Sequence, residues 1–329
     1  MELEYGAPLR PWRREETRRF LAREGLDYDE SIQFTVNLLE NDEIVASGSL
    51  DGAICKCIAV ADEHQGEGLT ATILTQLRQE AFRRGLRHLF LYTKPKNRRM
   101  FQELSFYPVA ETADTLLMEN VKDGCKKFVA SLKAPACAGT VGAIVANCNP
   151  FTLGHRYLVE QAAKQCELLH LFILSEDRSL FPAETRLALA KAGTADLPNV
   201  LVHPTGDYLI SAATFPTYFI KDKDRIPQIR CGLDLEIFAA CFAPALHITR
   251  RFVGTEPLSP VTDAYNRQLM AFLPGRGVEV TLIPRKEQDG APISASRVRA
   301  LLAEGRVEET RSLVPPATFA YLQAHFPQK

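Results

Sequence analysis

The segment Gly142-Ala-Ile-Val-Ala-Asn147-Cys148-Asn149-Pro150-Phe151-Thr152-Leu153-Gly154-His155 carries an apolar run into a turn and then into an amphipathic stretch. Its residue types suit a phosphate-rich anion. Small residues let the turn's backbone approach a ligand, and the unpaired amides of a helix start carry partial positive charge. Thr152 adds a hydroxyl, and His155 can give a hydrogen bond or a full charge to phosphate oxygens. With Asn147, Asn149, Pro150 and Gly154 shaping the turn, the segment predicts a cradle for a nucleoside triphosphate. Taken alone, His155 reads equally well as a helix-start histidine satisfied by backbone.

A second segment, Pro292-Ile-Ser294-Ala-Ser296-Arg-Val-Arg299, opens another helix about 140 residues further on. Either serine alone suits a plain N-cap. Together with Arg299 one turn along, they suit a second grip on phosphates. Arg178, Arg250 and Arg251 are candidate anion clamps, whereas Arg186 reads as a solvated helix residue. In the N-terminal part, Gln65-Gly66-Glu67-Gly68-Leu69-Thr70 lies between a strand and a helix, and Gly66 and Gly68 suit either a phosphate-binding loop or a simple turn.

These segments need a scaffold that brings them together. In the N-terminal part, strands are expected at 43–49 and 53–60 about an Asp51-Gly52 turn. A helix over 69–84 and a strand at 88–93 follow. After Val141, strand patterns at 141–147, 168–175, 200–203 and 278–284 alternate with helices at 155–166 and 183–192. That alternation predicts a parallel sheet covered on both faces, with ligands at the strands' carboxyl ends. Residues 121–133 suit a linking helix. The small-residue stretch after it places the domain boundary at Ala134, giving domains 1–133 and 134–329.

The 329 residues, 46% hydrophobic and 24% charged, suit about two ordinary globular domains. With 39 Lys+Arg against 40 Asp+Glu, no overall field draws the chain to nucleic acid or to an anionic membrane. The first sixteen residues lack a signal-peptide apolar core, and no apolar run reaches about 18 residues. The eight cysteines include no C-x-x-C pair, so reduced thiols in a cytoplasmic protein are expected. No carboxylate cluster suggests a protein-built metal cage. His64, His88, His170, His203, His247 and His325 are expected to be structural or at the surface, His203 being the nearest of them to the cradle.

The T-x-G-H spacing at Thr152–His155 resembles the nucleotidyltransferase superfamily, and Ile293-Ser-Ala-Ser-Arg-Val-Arg299 resembles its I-S-x-S/T-x-x-R motif. The segment from Ser175 to Leu187 also looks like phosphopantetheine adenylyltransferases. Gln65 to Gly68 resembles the pyrophosphate loop of the GCN5-related acetyltransferases, with Leu69 opening the helix, and Asn97 with Phe101 resembles that fold's next motif. Thr70 and Ser105 depart from the usual small residues there. An acetyltransferase-like α+β domain followed by a Rossmann-like nucleotidyltransferase domain resembles the citrate lyase ligases. The match includes Asn147–His155, Asp177–Phe181, Thr214–Phe219, Gly254-Thr-Glu-Pro257 and Asp263–Asn266. Ala146 and Cys148 favour this family over adenylyltransferases, which usually place a glycine and an aromatic at those positions.

That resemblance implies catalysis by Thr152 and His155, with ATP and Mg²⁺ as cofactors. Acetate is activated as acetyl-AMP, and acetyl then passes to the thiol of the CoA-like prosthetic group on citrate lyase's acyl carrier subunit. Gln65, Gly66, Gly68, Leu69 and Asn97 would receive the prosthetic group. An adenylyltransferase acting on phosphopantetheine or a mononucleotide, and a non-catalytic nucleotide-binding regulator, remain alternatives.

Overall fold

The computed structural model describes residues 1–177, 179–209, 215–256, 260–288 and 290–326. The chain divides into two compact units. The first holds Met1–Gly124 together with Phe215–Glu236, and the second holds Cys125–Thr214 together with Ile237–Lys329. This division differs from a single boundary at Ala134: the expected linking helix, found at Gly124–Ser131, falls almost wholly in the second unit, and a downstream segment returns to the first.

In the first unit, seven strands form one sheet: β1 (Glu2–Gly6), β2 (Phe34–Glu40), β3 (Glu43–Asp51), β4 (Ile54–Val60), β5 (Phe90–Thr93), β6 (Tyr107–Glu111) and β7 (Leu116–Glu119). Their order is β1-β2-β3-β4-β5-β7-β6. All neighbours are antiparallel except β4 and β5. That parallel pair is joined only at Ile54↔Phe90 and Cys55↔Leu91, so the two strands splay apart beyond Cys55. The helix Leu69–Arg83 buries Leu69, Ile73, Leu77 and Ala81 at helical spacing against the sheet. It starts after Gly68, and Gly85 follows its end.

The second unit is built on five strands: β8 (Val141–Ala146), β9 (Leu168–Ile173), β10 (Val200–Pro204), β11 (Arg250–Gly254) and β12 (Glu279–Ile283). All are parallel, in the order β10-β9-β8-β11-β12. The chain steps outward twice on one side of β8 and then crosses to the other, which makes the gap between β8 and β11 the switch point where such sheets bind ligands. Ile144, Phe151, Val159, Leu171 and Phe252 fill the core beneath it.

Four of these strands coincide with the sequence patterns to within a few residues. β11 was not among them. It opens on two arginines and has only five residues, so no apolar run announces it. Within the sheet, His170 on β9 and His203 on β10 share a hydrogen bond of 3.0 Å and are buried among Phe172 and its neighbours. Burial pushes both rings down to about 4, so at neutral pH they are uncharged structural groups.

Candidate active site

The cradle forms where β8 ends and the helix Leu153–Ala163 begins. Thr152 is the N-cap, and its hydroxyl accepts the His155 amide at 3.3 Å. The Thr152 amide in turn donates to His155 Nδ1 at 3.1 Å. A backbone N–H can only donate, so Nδ1 is an acceptor and the neutral ring carries its proton on Nε2. Burial and the nearby Arg285 guanidinium push His155 down to about 4. The ring is thus held as a neutral donor through Nε2. In the same first turn, the Gly154 amide has no acceptor among the described residues.

The two distant motifs meet here. Arg299 Nη1 donates to the Asn149 carbonyl at 2.6 Å, and its Nη2 donates to Ser296 Oγ at 3.1 Å. A Cβ on Gly154 would stand 2.6 Å from the Ile293 carbonyl, so glycine is what lets these backbones touch. Ser294 caps the helix Ala295–Ala303 by accepting the Arg297 amide at 3.2 Å, as the N-cap alternative expected. Ser296 is exposed at the same helix start. Two helix N-termini, each with partial positive charge, therefore converge on one place.

Asn147 and Asn149 hold the turn. Asn147 Oδ1 accepts from Arg186 at 2.6 Å and its amide donates to Ser179; Asn149 Oδ1 accepts the Phe181 amide at 3.1 Å. Pro150 follows them in the turn, and Phe151 anchors it in the core. Arg186, expected to be solvated, is instead wholly buried. Its guanidinium binds the carbonyls of Asn147, Leu174, Glu176 and Phe181, tying together the ends of β8 and β9. A helix position with charged neighbours hid this role in the sequence.

Arg250 and Arg251 do not reach the cradle. They pair with Gly142 and Ala143, at the amino ends of the strands, and Arg250 lies level with a point five residues before Asn147. At strand rise that is roughly 16 Å away. Arg250 binds Glu279, and the buried Arg251 lies over the Phe238 ring at 4.5 Å. Arg178 lies outside the described residues, as do Thr214 and Pro257 of the sequence matches. Sequence reasoning missed Arg285, which follows β12 at the carboxyl edge. Its position directly after a strand was the available signal.

The first unit has its own site. A cavity of about 440 Å³ opens where β4 and β5 splay, lined by Gln65, Gly66, Gly68, Leu69 and Asn97. All five prosthetic-group candidates thus border one space. Gly66 and Gly68 adopt φ of +91° and +78°, and a Cβ on either would meet nothing within 4 Å, so these glycines are there for backbone shape. Asn97 donates to Thr93 at 2.8 Å and Gln65 to Asp62 at 2.6 Å. Tyr218 and Phe219, from the returning segment, complete the lining, and the Tyr218 hydroxyl donates to the Tyr92 carbonyl at 3.2 Å. Cys55 also borders the cavity, and burial pushes its thiol up to about 12, which keeps it a thiol rather than a thiolate at neutral pH.

Among the described residues, no helix is long and apolar enough to cross a membrane, and no group of three or more His, Cys, Asp or Glu side chains is arranged to hold a metal ion.

Residues 1–106 match the GNAT acetyltransferase family, and the second unit is a five-stranded all-parallel sheet that carries the strand-to-helix cradle. The chain thus joins an acetyltransferase-family domain to a parallel-sheet α/β domain. Residues 141–322 match the citrate lyase ligase C-terminal domain. The chain is 41% identical over 316 residues to a [citrate [pro-3S]-lyase] ligase of Klebsiella pneumoniae, covering 94% of this chain and 92% of that one. The Escherichia coli protein of the same name is also 41% identical, covering 94% and 90%. Over a shorter stretch of 64 residues, the chain is 36% identical to a Staphylococcus carnosus phosphopantetheine adenylyltransferase, covering 19% of this chain and 40% of that one. This chain belongs to the citrate lyase ligase family, and it is a ligase.

Proposed function

We propose that the second unit activates acetate with ATP, and that the acetyl group then passes to the thiol of a CoA-like prosthetic group on the acyl carrier subunit of citrate lyase. A carboxylate oxygen attacks the α-phosphorus, the bond to the bridging oxygen breaks, and pyrophosphate leaves with the electron pair. The His155 Nε2–H and the Gly154 amide stabilise charge growing on the α-phosphate oxygens. The helix start at Ala295, with Ser296 and Arg299, grips the departing pyrophosphate. Mg²⁺ bound with the triphosphate would supply positive charge to offset the negative charge building up on the leaving pyrophosphate.

The mixed anhydride supplies what acetate lacks, a good leaving group, and a thiolate attacks its carbonyl to release AMP. Gln65, Gly66, Gly68, Leu69 and Asn97 hold the pantetheine and diphosphate of the prosthetic group. The observation that carries this reading is the Arg299 bond to the Asn149 carbonyl across 150 residues of sequence, which joins two half-sites for one triphosphate.

Mixing the protein with ATP, Mg²⁺, acetate and thiol-form citrate lyase should release AMP and pyrophosphate in step with recovered lyase activity. AMP retained on an acceptor, with no lyase recovery, would point to adenylyl transfer and sink the ligase reading.

A further inference from the structure

The triphosphate grip leaves the nucleophile without a partner. A carboxylate must approach a phosphate that already bears negative oxygens, and like charges at contact distance repel strongly in a partly buried site. A cation fixed beside the α-phosphate would offset that repulsion. Among the described residues, Arg186 is committed to buried carbonyls, and Arg299, bound to Asn149 and Ser296, stands at the pyrophosphate end of the cradle.

Arg285 has the required placement. Gly254 pairs with Ile283, so the residues just after β11 and β12 stand together at the carboxyl edge. The Arg285 amide donates to Thr255 Oγ1 at 3.2 Å and its Nε to the Thr255 carbonyl at 2.8 Å. Its Nη2 binds Glu256, whose carboxylate is only 7% exposed. Nη1 has no acceptor among the described residues. The next residue, Lys286, accepts the Ile293 amide at 3.0 Å, and the Ile293 carbonyl is the group that abuts Gly154. Two backbone contacts thus carry Arg285 to the neighbourhood of His155. The lowered charge state of His155, caused in part by this guanidinium, agrees with that proximity.

We propose that Arg285, held by Thr255 and Glu256, receives the small carboxylate substrate and presents it to the α-phosphate. The inference rests on the acetate-activating reading above. Glu256 partly offsets the charge of Arg285, which leaves one guanidinium edge for a small carboxylate and too little positive field to hold a polyphosphate. One free edge of a guanidinium matches one carboxylate. The carboxylate oxygen gains the bond to phosphorus as the α–β bridging bond breaks, and no proton moves.

The test is acetate-dependent exchange of pyrophosphate into ATP, measured on the full chain with Arg285→Gln and Arg285→Lys. In Arg285→Gln, KM for acetate should rise about tenfold or more while KM for ATP stays within about twofold, and Arg285→Lys should recover part of the loss. An equal rise in KM for ATP would make Arg285 a phosphate ligand and overturn the proposal. Unchanged KM for both would overturn it as well. If Arg285→Gln does not fold, Arg285→Lys, which keeps the charge but loses the planar fork, gives the same comparison. Absence of acetate-dependent exchange in the unsubstituted protein would instead defeat the underlying reading, so the two failures are distinguishable.

Discussion

The cradle of the second unit and the cavity of the first are both built around glycines, yet they are opposite kinds of site. At the cradle, Gly154 lets two backbones touch, while Arg299, Arg186 and the Thr152–His155 capping box hold Asn149, Asn147 and the His155 ring in place. At the cavity, Gly66 and Gly68 face open space, and two strands part to leave about 440 Å³. On the proposed function, the contrast teaches what each must do. Stabilising a transition state needs donors that are already in place, because reorganising them would raise the barrier. Receiving a long arm needs room and exposed backbone.

The sharpest break of the comparison is at Arg186. Arg186→Met strips the buried carbonyls at the ends of β8 and β9 of their donor and should lower unfolding stability by about 3 to 5 kcal/mol. Urea titration reads this directly, and a loss under about 1 kcal/mol would show that the rigidity lies elsewhere. His155→Ala should reduce acetate-dependent pyrophosphate exchange by about 10²- to 10³-fold with little loss of stability. Unchanged turnover would remove the histidine from catalysis.

Next comes the converse test at the cavity. Gly66→Val with Gly68→Val places branched side chains at left-handed backbone positions, and should slow thiol acetylation about tenfold or more while sparing pyrophosphate exchange. Equal loss of both activities would end the division of labour between the units. The smallest effect is on pH. His170 and His203 have folded values near 4 against an ordinary value of 6.5, so the unfolded chain binds more protons between those limits. Their contribution is full above pH 6.5 and shrinks as pH falls toward 4. Between pH 6.5 and 5.5 each ring should remove about 1 kcal/mol. Urea midpoints that do not move over that interval would mean the rings are solvated.

Much of this was legible in the sequence because its signals are local. Thr152 to His155 is a strand-to-helix junction with its cap residues in a row, and Ile293 to Arg299 is a second helix start. What the sequence hid depends on contacts between distant positions. Arg250 and Arg251 looked like anion clamps because nothing in Arg-Arg-Phe-Val-Gly says that the chain there runs toward the cradle and starts a strand's length away. Arg186 and Arg285 differ only in which acceptors the fold brings to them, backbone carbonyls for one and Thr255 with Glu256 for the other. Tyr218 and Phe219 border the first-unit cavity although they lie more than 120 residues beyond its loop.

That return of Phe215–Glu236 bears on how the protein is made. A ribosome releases the first 124 residues long before residue 236, so during synthesis the amino-terminal sheet waits without Tyr218 on the Tyr92 carbonyl and without Phe219 in its cleft. A gene cut after codon 133 would encode that waiting form permanently. The two units are therefore separable as shapes but not as consecutive stretches of message.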